Sequence, residues 1–172
     1  KYLLSLSGRT DGSSRFGKNN RYGFFPAGSV GWIVTKENFL KNTQWLSFLK
    51  LKASYGVTGN ENIADFGSRG LFAANAYGGQ AGQSPSQLPN PDLKWETTRG
   101  SDFGIEASIF NNRLSFEVDY YEKNTVDLLL NVQVPGTTGF ATKLENIGKL
   151  NNKGIELSIN STNVAVKKLR WT

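Results

Sequence analysis

The chain has 172 residues, of which 38% are hydrophobic; this is enough for one core, so length and composition alone do not set its class. It contains no cysteine and no histidine, which excludes disulfide frameworks, thiol nucleophiles, zinc sites built on these residues, and Ser-His-Asp or Cys-His catalysis. The net charge of +6 comes from scattered bases with no run longer than Lys167-Lys168, a pattern that does not favour nucleic-acid binding.

No stretch reaches the roughly eighteen apolar residues that predict a transmembrane helix, a test that does not detect a spanning β-barrel. The chain begins at Lys1 inside a strand-like run and contains no methionine. We therefore expect an internal fragment of a longer protein.

Two strands are predicted in the first 35 residues. Residues 2–8 alternate as a short strand, and Asp11-Gly12 with the serines that follow signals a turn. A second strand runs from about Tyr22 to Thr35, and its glycines predict a bend or bulge. One of its faces carries Val30, Trp32 and Val34.

The next segments differ in periodicity. Residues 36–48 break the alternation, and Phe39, Leu40 and Trp45 predict one short helical turn. Alternation returns over Leu49–Thr58 as a third strand. Residues 59–94 are rich in Gly, Asn, Ser, Gln and Pro without sustained periodicity, so we predict a long loop, and such loops are usually functional.

Residues 103–120 predict a β-hairpin, because apolar side chains recur with a period of two on both sides of Asn111-Asn112. Asparagine tolerates positive φ, so this pair can form the primed turn that matches the strand twist. The turn sets the register, which brings the apolar positions together as Ile109–Leu114, Ala107–Phe116, Ile105–Val118 and Phe103–Tyr120. Glu106 then lies opposite Glu117 on the other face, a repulsion that requires water or basic partners.

The rest of the chain continues the pattern. Residues 123–143 are a second long connection, strand-like near Leu128–Val134, and alternation returns over Asn151–Ile159. A short turn at Ser161–Asn163 precedes a final strand that starts at Leu169 and Trp171. Long and short connections tend to alternate, as they do in outer-membrane β-barrels with long extracellular loops and short periplasmic turns; segment 36–48 is the exception.

Seven stretches together resemble the SusC/RagA family of TonB-dependent outer-membrane transporters, in the C-terminal part of its barrel. They are R-T-D-G-S-S-R-F-G at 9–17, R-Y-G-F-F-P-A-G-S-V-G-W at 21–32, L-K-L-K-A-S-Y-G-V-T-G-N at 49–60, N-P-D-L-K-W-E-T-T at 90–98, F-N-N-R-L-S-F-E-V-D-Y-Y-E-K at 110–123, P-G-T-T-G-F at 135–140 and N-I-G-K-L-N-N-K-G-I-E-L at 146–157. Their order and spacing cover most of the chain.

The resemblance implies an all-β fold, with antiparallel strands in the wall of a plugged barrel of about twenty-two strands. It implies import of oligosaccharides or peptides across a Gram-negative, Bacteroidota-like outer membrane, with a SusD-like lipoprotein lid and energy from TonB. Residues 1–172 would supply about seven strands of the barrel domain, without the TonB box, plug or N-terminal extension. We expect such a fragment alone to transport nothing, and we expect no cofactor.

In such a barrel the two faces of the strands meet different surroundings. We expect the polar wall of the lumen to comprise Lys50, Lys52, Asp102, Glu106, Glu117, Asp119 and Tyr121. We expect contact with lipid from Phe103, Ile105, Ile109, Leu114, Phe116 and Val118. In the connections, Tyr77 and Trp95 are candidates for contact with substrate or lid.

Each feature also has a second interpretation. The carboxylates could form a glycosidase pair, but period-two carboxylates fit a wetted wall better, with Lys50 and Lys52 to balance them. Trp32, Trp45, Trp95, Tyr120 and Trp171 fit an aromatic girdle better than stacking on sugar rings. A turn at Asp11 is favoured over a calcium site. The main alternative for the whole chain is a secreted carbohydrate-binding β-sandwich; an enzyme is the third possibility.

Overall fold

The computed structural model describes the backbone of residues 1–166 and 169–171. Its main element is a six-stranded antiparallel sheet in the order β1-β2-β3-β6-β7-β10. The strands of this sheet are β1 (Tyr2–Gly12), β2 (Tyr22–Ile33), β3 (Leu46–Asn60), β6 (Glu96–Ile109), β7 (Leu114–Val126) and β10 (Lys149–Ser161). The six strands lie in the sheet in the order in which the chain reaches them, so the sheet is an up-and-down meander.

The central hairpin of β6 and β7 has the predicted register. Ile105 pairs with Val118, Phe103 with Tyr120, and Glu106 with Glu117. In the turn, Asn111 has a φ of 55° and Asn112 a φ of 63°, and the amide of Arg113 donates to the carbonyl of Phe110 at 3.2 Å. The predicted register and the positive φ of both asparagines are confirmed. Phe110 also has a positive φ of 53°, and strand pairing ends at Ile109 and Leu114, so the connection is longer than the predicted two-residue primed turn.

Two predictions about the first strands need correction. Strand β1 continues through Asp11-Gly12, because Gly12 pairs with Tyr22 and the Tyr22 ring fills the space that a side chain at Gly12 would occupy, so the predicted turn comes later, at Ser14 and Arg15. Strand β2 pairs with β1 and β3 without a register shift, so its glycines produce no bulge. The irregularity lies in β3 between Leu46 and Phe48, at the start of that strand.

The connection between β2 and β3 contains two 3-10 helices, Val34–Lys36 and Asn38–Leu40. The second helix confirms the helical turn predicted at Phe39 and Leu40. Trp45 lies outside both helices, immediately before β3.

Residues 59–94 are not the continuous loop that their composition predicts. They contain a small hairpin of β4 (Leu71–Ala74) and β5 (Gln83–Gln87), whose tip has Gly78 and Gly79 at positive φ. Strands of four or five residues are too short to show a period in the sequence, which explains the omission.

Four further short strands form two more small, separate sheets. Strand β8 (Leu129–Gln133) falls in the predicted strand-like region and pairs with β9 (Thr142–Asn146), which the sequence did not reveal. The final strand predicted at Leu169 and Trp171 is present as β12 (Leu169–Trp171), and it pairs with β11 (Val164–Val166).

The connections of the sheet differ at its two ends. Segments 13–21, 61–95 and 127–148 lie at one end, called here the long-loop end, whereas 34–45 and 110–113 lie at the short-loop end. The predicted asymmetry is therefore confirmed, and 34–45 remains the longest short-side connection. Among the described residues, no helix is long and apolar enough to cross a membrane.

Candidate functional site

One face of the six-stranded sheet is apolar from edge to edge. Because directly paired residues lie on the same face, the register defines rows of side chains that cross all six strands. One row is Tyr2, Trp32, Leu51, Ile105, Val118 and Leu157, and the next is Leu4, Val30, Ala53, Phe103, Tyr120 and Ile155.

This apolar face is exposed rather than packed. Leu4 is 71% exposed, Phe103 56% and Ile155 72%. Ile109, Leu114, Phe116 and Val118 are half-buried by their neighbours in the sheet. All six residues that the sequence assigns to lipid contact lie on this face.

The opposite face carries an ion-pair network on three neighbouring strands. Lys50 Nζ lies 3.0 Å from Glu106 Oε1, and Lys52 Nζ lies 2.9 Å from Asp119 Oδ1 and 3.6 Å from Glu106 Oε1. Lys52 also donates a hydrogen bond to Glu117. The two lysines therefore supply the basic partners that the opposed Glu106 and Glu117 require, as predicted.

Lys52 reaches Asp119 because Gly104 lies between them. Lys52, Gly104 and Asp119 occupy one row on β3, β6 and β7. A side chain at Gly104 would overlap both the Lys52 chain and the Asp119 carboxylate. Asp119 Oδ1 is buried and has no aligned hydrogen bond, although Lys52 Nζ is close; we attribute this contact to charge attraction, which tolerates poor alignment.

Asp102 and Tyr121 complete the polar residues that the sequence singles out. They pair with each other in the next row, towards the long-loop end. Neither forms an ion pair or a side-chain hydrogen bond with another described residue. They therefore share the face of the network without belonging to it.

A packed loop cluster lies at the long-loop end. Its centre is Phe16, 1% exposed, and Leu93, fully buried, which are the largest fully buried side chains in the described part of the chain. The Trp95 ring packs against two phenylalanine rings, with centroid distances of 5.0 Å to Phe16 and 5.3 Å to Phe25. Its Nε1 donates a hydrogen bond to the carbonyl of Arg21 at 3.0 Å. Trp95 is therefore a packing residue of the cluster, which counts against its predicted role as a free loop contact or girdle residue.

Backbone and side-chain amides join the three long connections within this cluster. The amide of Gly17 donates a hydrogen bond to the carbonyl of Leu93, and the amide of Ser68 donates one to the carbonyl of Arg15, both at 3.0 Å. The buried Asn90 donates from Nδ2 to the carbonyl of Leu144 at 2.8 Å. Asn146 accepts from the Lys94 amide and donates to the Lys94 and Asp127 carbonyls. The sequence does not reveal the role of these residues, because their partners are far away in the chain.

Two hairpin arms extend from the loop cluster, one formed by β4 and β5 and the other by β8 and β9. Tyr77, at the tip of the first arm, is 89% exposed. A cleft of about 410 Å³ between the arms is lined by polar and apolar residues, including Asn62, Ile63, Gln87, Leu129, Asn131 and Lys143. Tyr77 is thus accessible, whereas Trp95 is packed beneath.

The other aromatic residues of the predicted girdle have different positions. Trp32 and Trp45 lie at the short-loop end, and Trp45 is 59% exposed. Tyr120 lies in the middle of β7, opposite Phe103, and not near a strand end as the sequence analysis has it. The Trp171 side chain falls outside the residues that the structure describes in full.

The alternative chemistries find little support in the geometry. Lys50 and Lys52 form ion pairs with Glu106, Glu117 and Asp119. Carboxylates paired in this way fit a wetted polar face better than a glycosidase acid and nucleophile. Asp11, the candidate calcium ligand, lies in strand β1, and its Oδ2 accepts a hydrogen bond from Arg9 Nε at 2.6 Å. Within the described ranges, no group of three or more His, Cys, Asp or Glu residues could hold a metal ion.

This chain is similar in sequence and fold to known proteins. The family model described as TonB dependent receptor-like, beta-barrel matches residues 1–172. TonB-dependent receptor P26 of Formosa agariphila is 45% identical over 99% of this chain and 18% of its own length. TonB-dependent receptor SusC of Bacteroides thetaiotaomicron is 38% identical over 99% of this chain and 18% of its own length.

Solved structures are also similar to this chain in fold. A structure of the RagAB peptide importer in the closed-closed state superimposes with a TM-score of 0.89 and 40% identity, covering 96% of this chain and 18% of that one. This chain therefore spans less than a fifth of the length of these relatives. The barrel fold of the matching family overturns the β-sandwich alternative.

Lys52 is the residue on which the charge balance of the polar face depends most. Replacing Lys52 by Gln should lower the free energy of unfolding of the full-length protein by about 1–3 kcal/mol, because Glu117 and Asp119 lose their cation. The lysine side chain is 27% exposed, so water screens part of the loss. Urea titration in liposomes measures the change. Lys153→Gln, at an exposed lysine without an ion pair among the described residues, is the control; equal effects of the two substitutions would contradict the network's role.

Gly17 tests the packing of the loop cluster. A Cβ at Gly17 would overlap the carbonyl of Pro91, so Gly17→Ala should separate segment 13–21 from segment 88–95 at a cost of about 1–3 kcal/mol. The measurement is the rate of limited proteolysis at the long-loop end, which should rise. Gly136→Ala serves as the control because a Cβ there meets nothing within 4 Å. If both variants were cleaved as slowly as the wild type, the close contact would not hold the loops together.

Proposed function

Since this chain belongs to the SusC/RagA family of TonB-dependent receptors, we propose that it forms a section of the barrel wall of an outer-membrane transporter. The single observation that carries this proposal is the pair of apolar rows across six strands, backed by an ion-pair network on the other face. A β-barrel in a membrane needs this arrangement, since its outside meets lipid and its inside meets water.

In this proposal each face has an assigned environment. The face of Phe103, Ile105, Ile109, Leu114, Phe116 and Val118 contacts lipid. The face of Lys50, Lys52, Asp102, Glu106, Glu117, Asp119 and Tyr121 lines the lumen. Residues 1–172 are then part of the barrel domain, and the strands that close the barrel come from the rest of the protein.

The cargo and partners are proposed from the family resemblance. It implies import of oligosaccharides or oligopeptides, and the relative described as a peptide importer supports a peptide cargo. A SusD-like lipoprotein would cover the long-loop end, and TonB would act through parts of the protein outside this chain. The long-loop end is then extracellular, with Tyr77 accessible to the lid or to the nutrient.

A pair of arginine substitutions tests the faces. Ile105→Arg places a charge among lipid chains and should destabilise the full-length protein by about 2–4 kcal/mol, whereas Ser54→Arg on the polar face should cost little. Ser54 is the matched control because it lies in the same sheet, is exposed, and pairs with Asp102. Reversible unfolding in liposomes measures both. Equal costs would exclude the proposed orientation of the wall.

The arm of β4 and β5 tests the proposed function. Replacing residues 72–86 by a short Gly-Ser linker leaves Ser68, Gln87 and Leu93 in the loop cluster, and the linker joins Leu71 to Gln87, which are already paired. We expect the barrel to stay folded and heat-resistant, while lid recovery or growth on the cognate oligomer falls. Receptor abundance in the outer membrane is the control. Normal growth together with normal lid recovery would show that this arm is a passive surface.

A further inference from the structure

The apolar face ends, at the short-loop end, in a cluster of two aromatic rings and a carboxylate. Tyr2 and Trp32 pair across β1 and β2, and their rings stack at 6.5 Å with an angle of 21°. Tyr2 Oη donates to Glu37 Oε1 at 3.1 Å, and Trp32 Nε1 donates to the same oxygen at 3.2 Å. Because both rings belong to the apolar face, the Glu37 carboxylate of connection 34–45 lies at the end of this face.

This arrangement is amphipathic along the wall. The carbon surfaces of Tyr2 and Trp32 continue the apolar rows, while their polar atoms point to Glu37 beyond the end of the sheet. Phe39, in the second 3-10 helix, is 71% exposed. Aromatic side chains with one apolar and one polar end occupy the boundary between hydrocarbon and headgroups.

The charge at this boundary is positive. Glu37 is neutralised by Lys1, whose Nζ lies 2.8 Å away, and the hydrogen bonds from Lys1 and Trp32 lower the pKa of the Glu37 carboxyl. Lys36 and Lys41 flank it, are exposed, and form no ion pair among the described residues. The connection therefore presents two uncompensated ammonium groups beside an aromatic boundary.

The neighbouring turn adds to the same surface. The amide of Phe110 donates to the carbonyl of Trp45 at 3.0 Å, and the amide of Asn112 donates to Ser47 Oγ at 3.2 Å. Phe110 has a φ of 53° and is 59% exposed, an unfavourable conformation for a bulky residue that these bonds maintain. Arg113 follows in the same turn and is exposed.

We propose that connection 34–45, with the turn at 110–113, binds the headgroups of anionic phospholipids in the leaflet at the short-loop end. The aromatic rings set the depth, and Lys36 and Lys41 contact the phosphates, with Arg113 in the neighbouring turn. Charge complementarity selects an anionic lipid over a zwitterionic one, because each lysine near a negative surface adds attraction. This inference rests on the proposed function in one respect: the sheet must be a membrane wall.

The test uses the full-length receptor in nanodiscs of phosphatidylcholine with and without phosphatidylglycerol. Native mass spectrometry counts retained phosphatidylglycerol, and the thermal midpoint is compared between the two lipid compositions. We expect the wild type to retain the anionic lipid and to be more stable with it. Lys36→Gln with Lys41→Gln should reduce retention about tenfold and remove the stability difference. Lys18→Gln with Lys149→Gln, at exposed lysines of the long-loop end, is the matched control.

The outcomes separate the inference from its premise. Wild-type retention in the Lys36/Lys41 double variant would overturn it, as would an equal loss in the control variant, which would indicate non-specific attraction. A receptor that inserts into both lipid compositions without preferring either would overturn the lipid site and leave the barrel wall intact. Failure of the folded receptor to insert at all would overturn the wall itself.

Discussion

The structure depends on one constraint, the hydrogen-bond register that its six central strands share along the two apolar rows. Every residue of a row is fixed to one face by its partners, so a slip of one residue in any strand would move carboxylates into the apolar rows. The register shift between Leu46 and Phe48 lies at the start of β3 and leaves both rows intact. The turn at Asn111-Asn112 also maintains the register. Its length fixes the pairing of β6 with β7, from which the pairing of the outer strands follows.

The polar face shows how a charged wall can be stable without a core. Glu106 and Glu117 are directly opposed, an arrangement that by itself is unfavourable. Lys50 and Lys52 from the next strand turn it into a network, and Gly104 makes this possible because it leaves the path of Lys52 open. A glycine within a strand usually weakens it. Here its missing side chain permits an ion pair between strands that are not adjacent.

Sequence reasoning succeeded where the information is local. The alternation in β6 and β7 and the Asn-Asn turn lie within one continuous segment, and pairing follows directly. It failed where contacts join distant segments: nothing near Phe16 indicates that it packs on Trp95, and nothing near Asn146 indicates its bonds to Lys94. Strands β4 and β9 are too short to show a period. The packing of Trp95 was not predicted because its partner Phe25 lies in β2, far away in the chain.

The distribution of buried side chains follows from the same two-faced geometry. A sheet that presents exposed apolar rows on one face and ion pairs on the other has no interior of its own, so large buried residues must lie elsewhere. They lie in the loop cluster, where Phe16 and Leu93 are enclosed by three connections and tied by backbone and asparagine hydrogen bonds. The cluster is thus the packed base of two exposed arms. Substitutions in the loop cluster should therefore change the position of the arms. Substitutions at Tyr77 should change only the contacts that the tip of the first arm makes with a bound molecule.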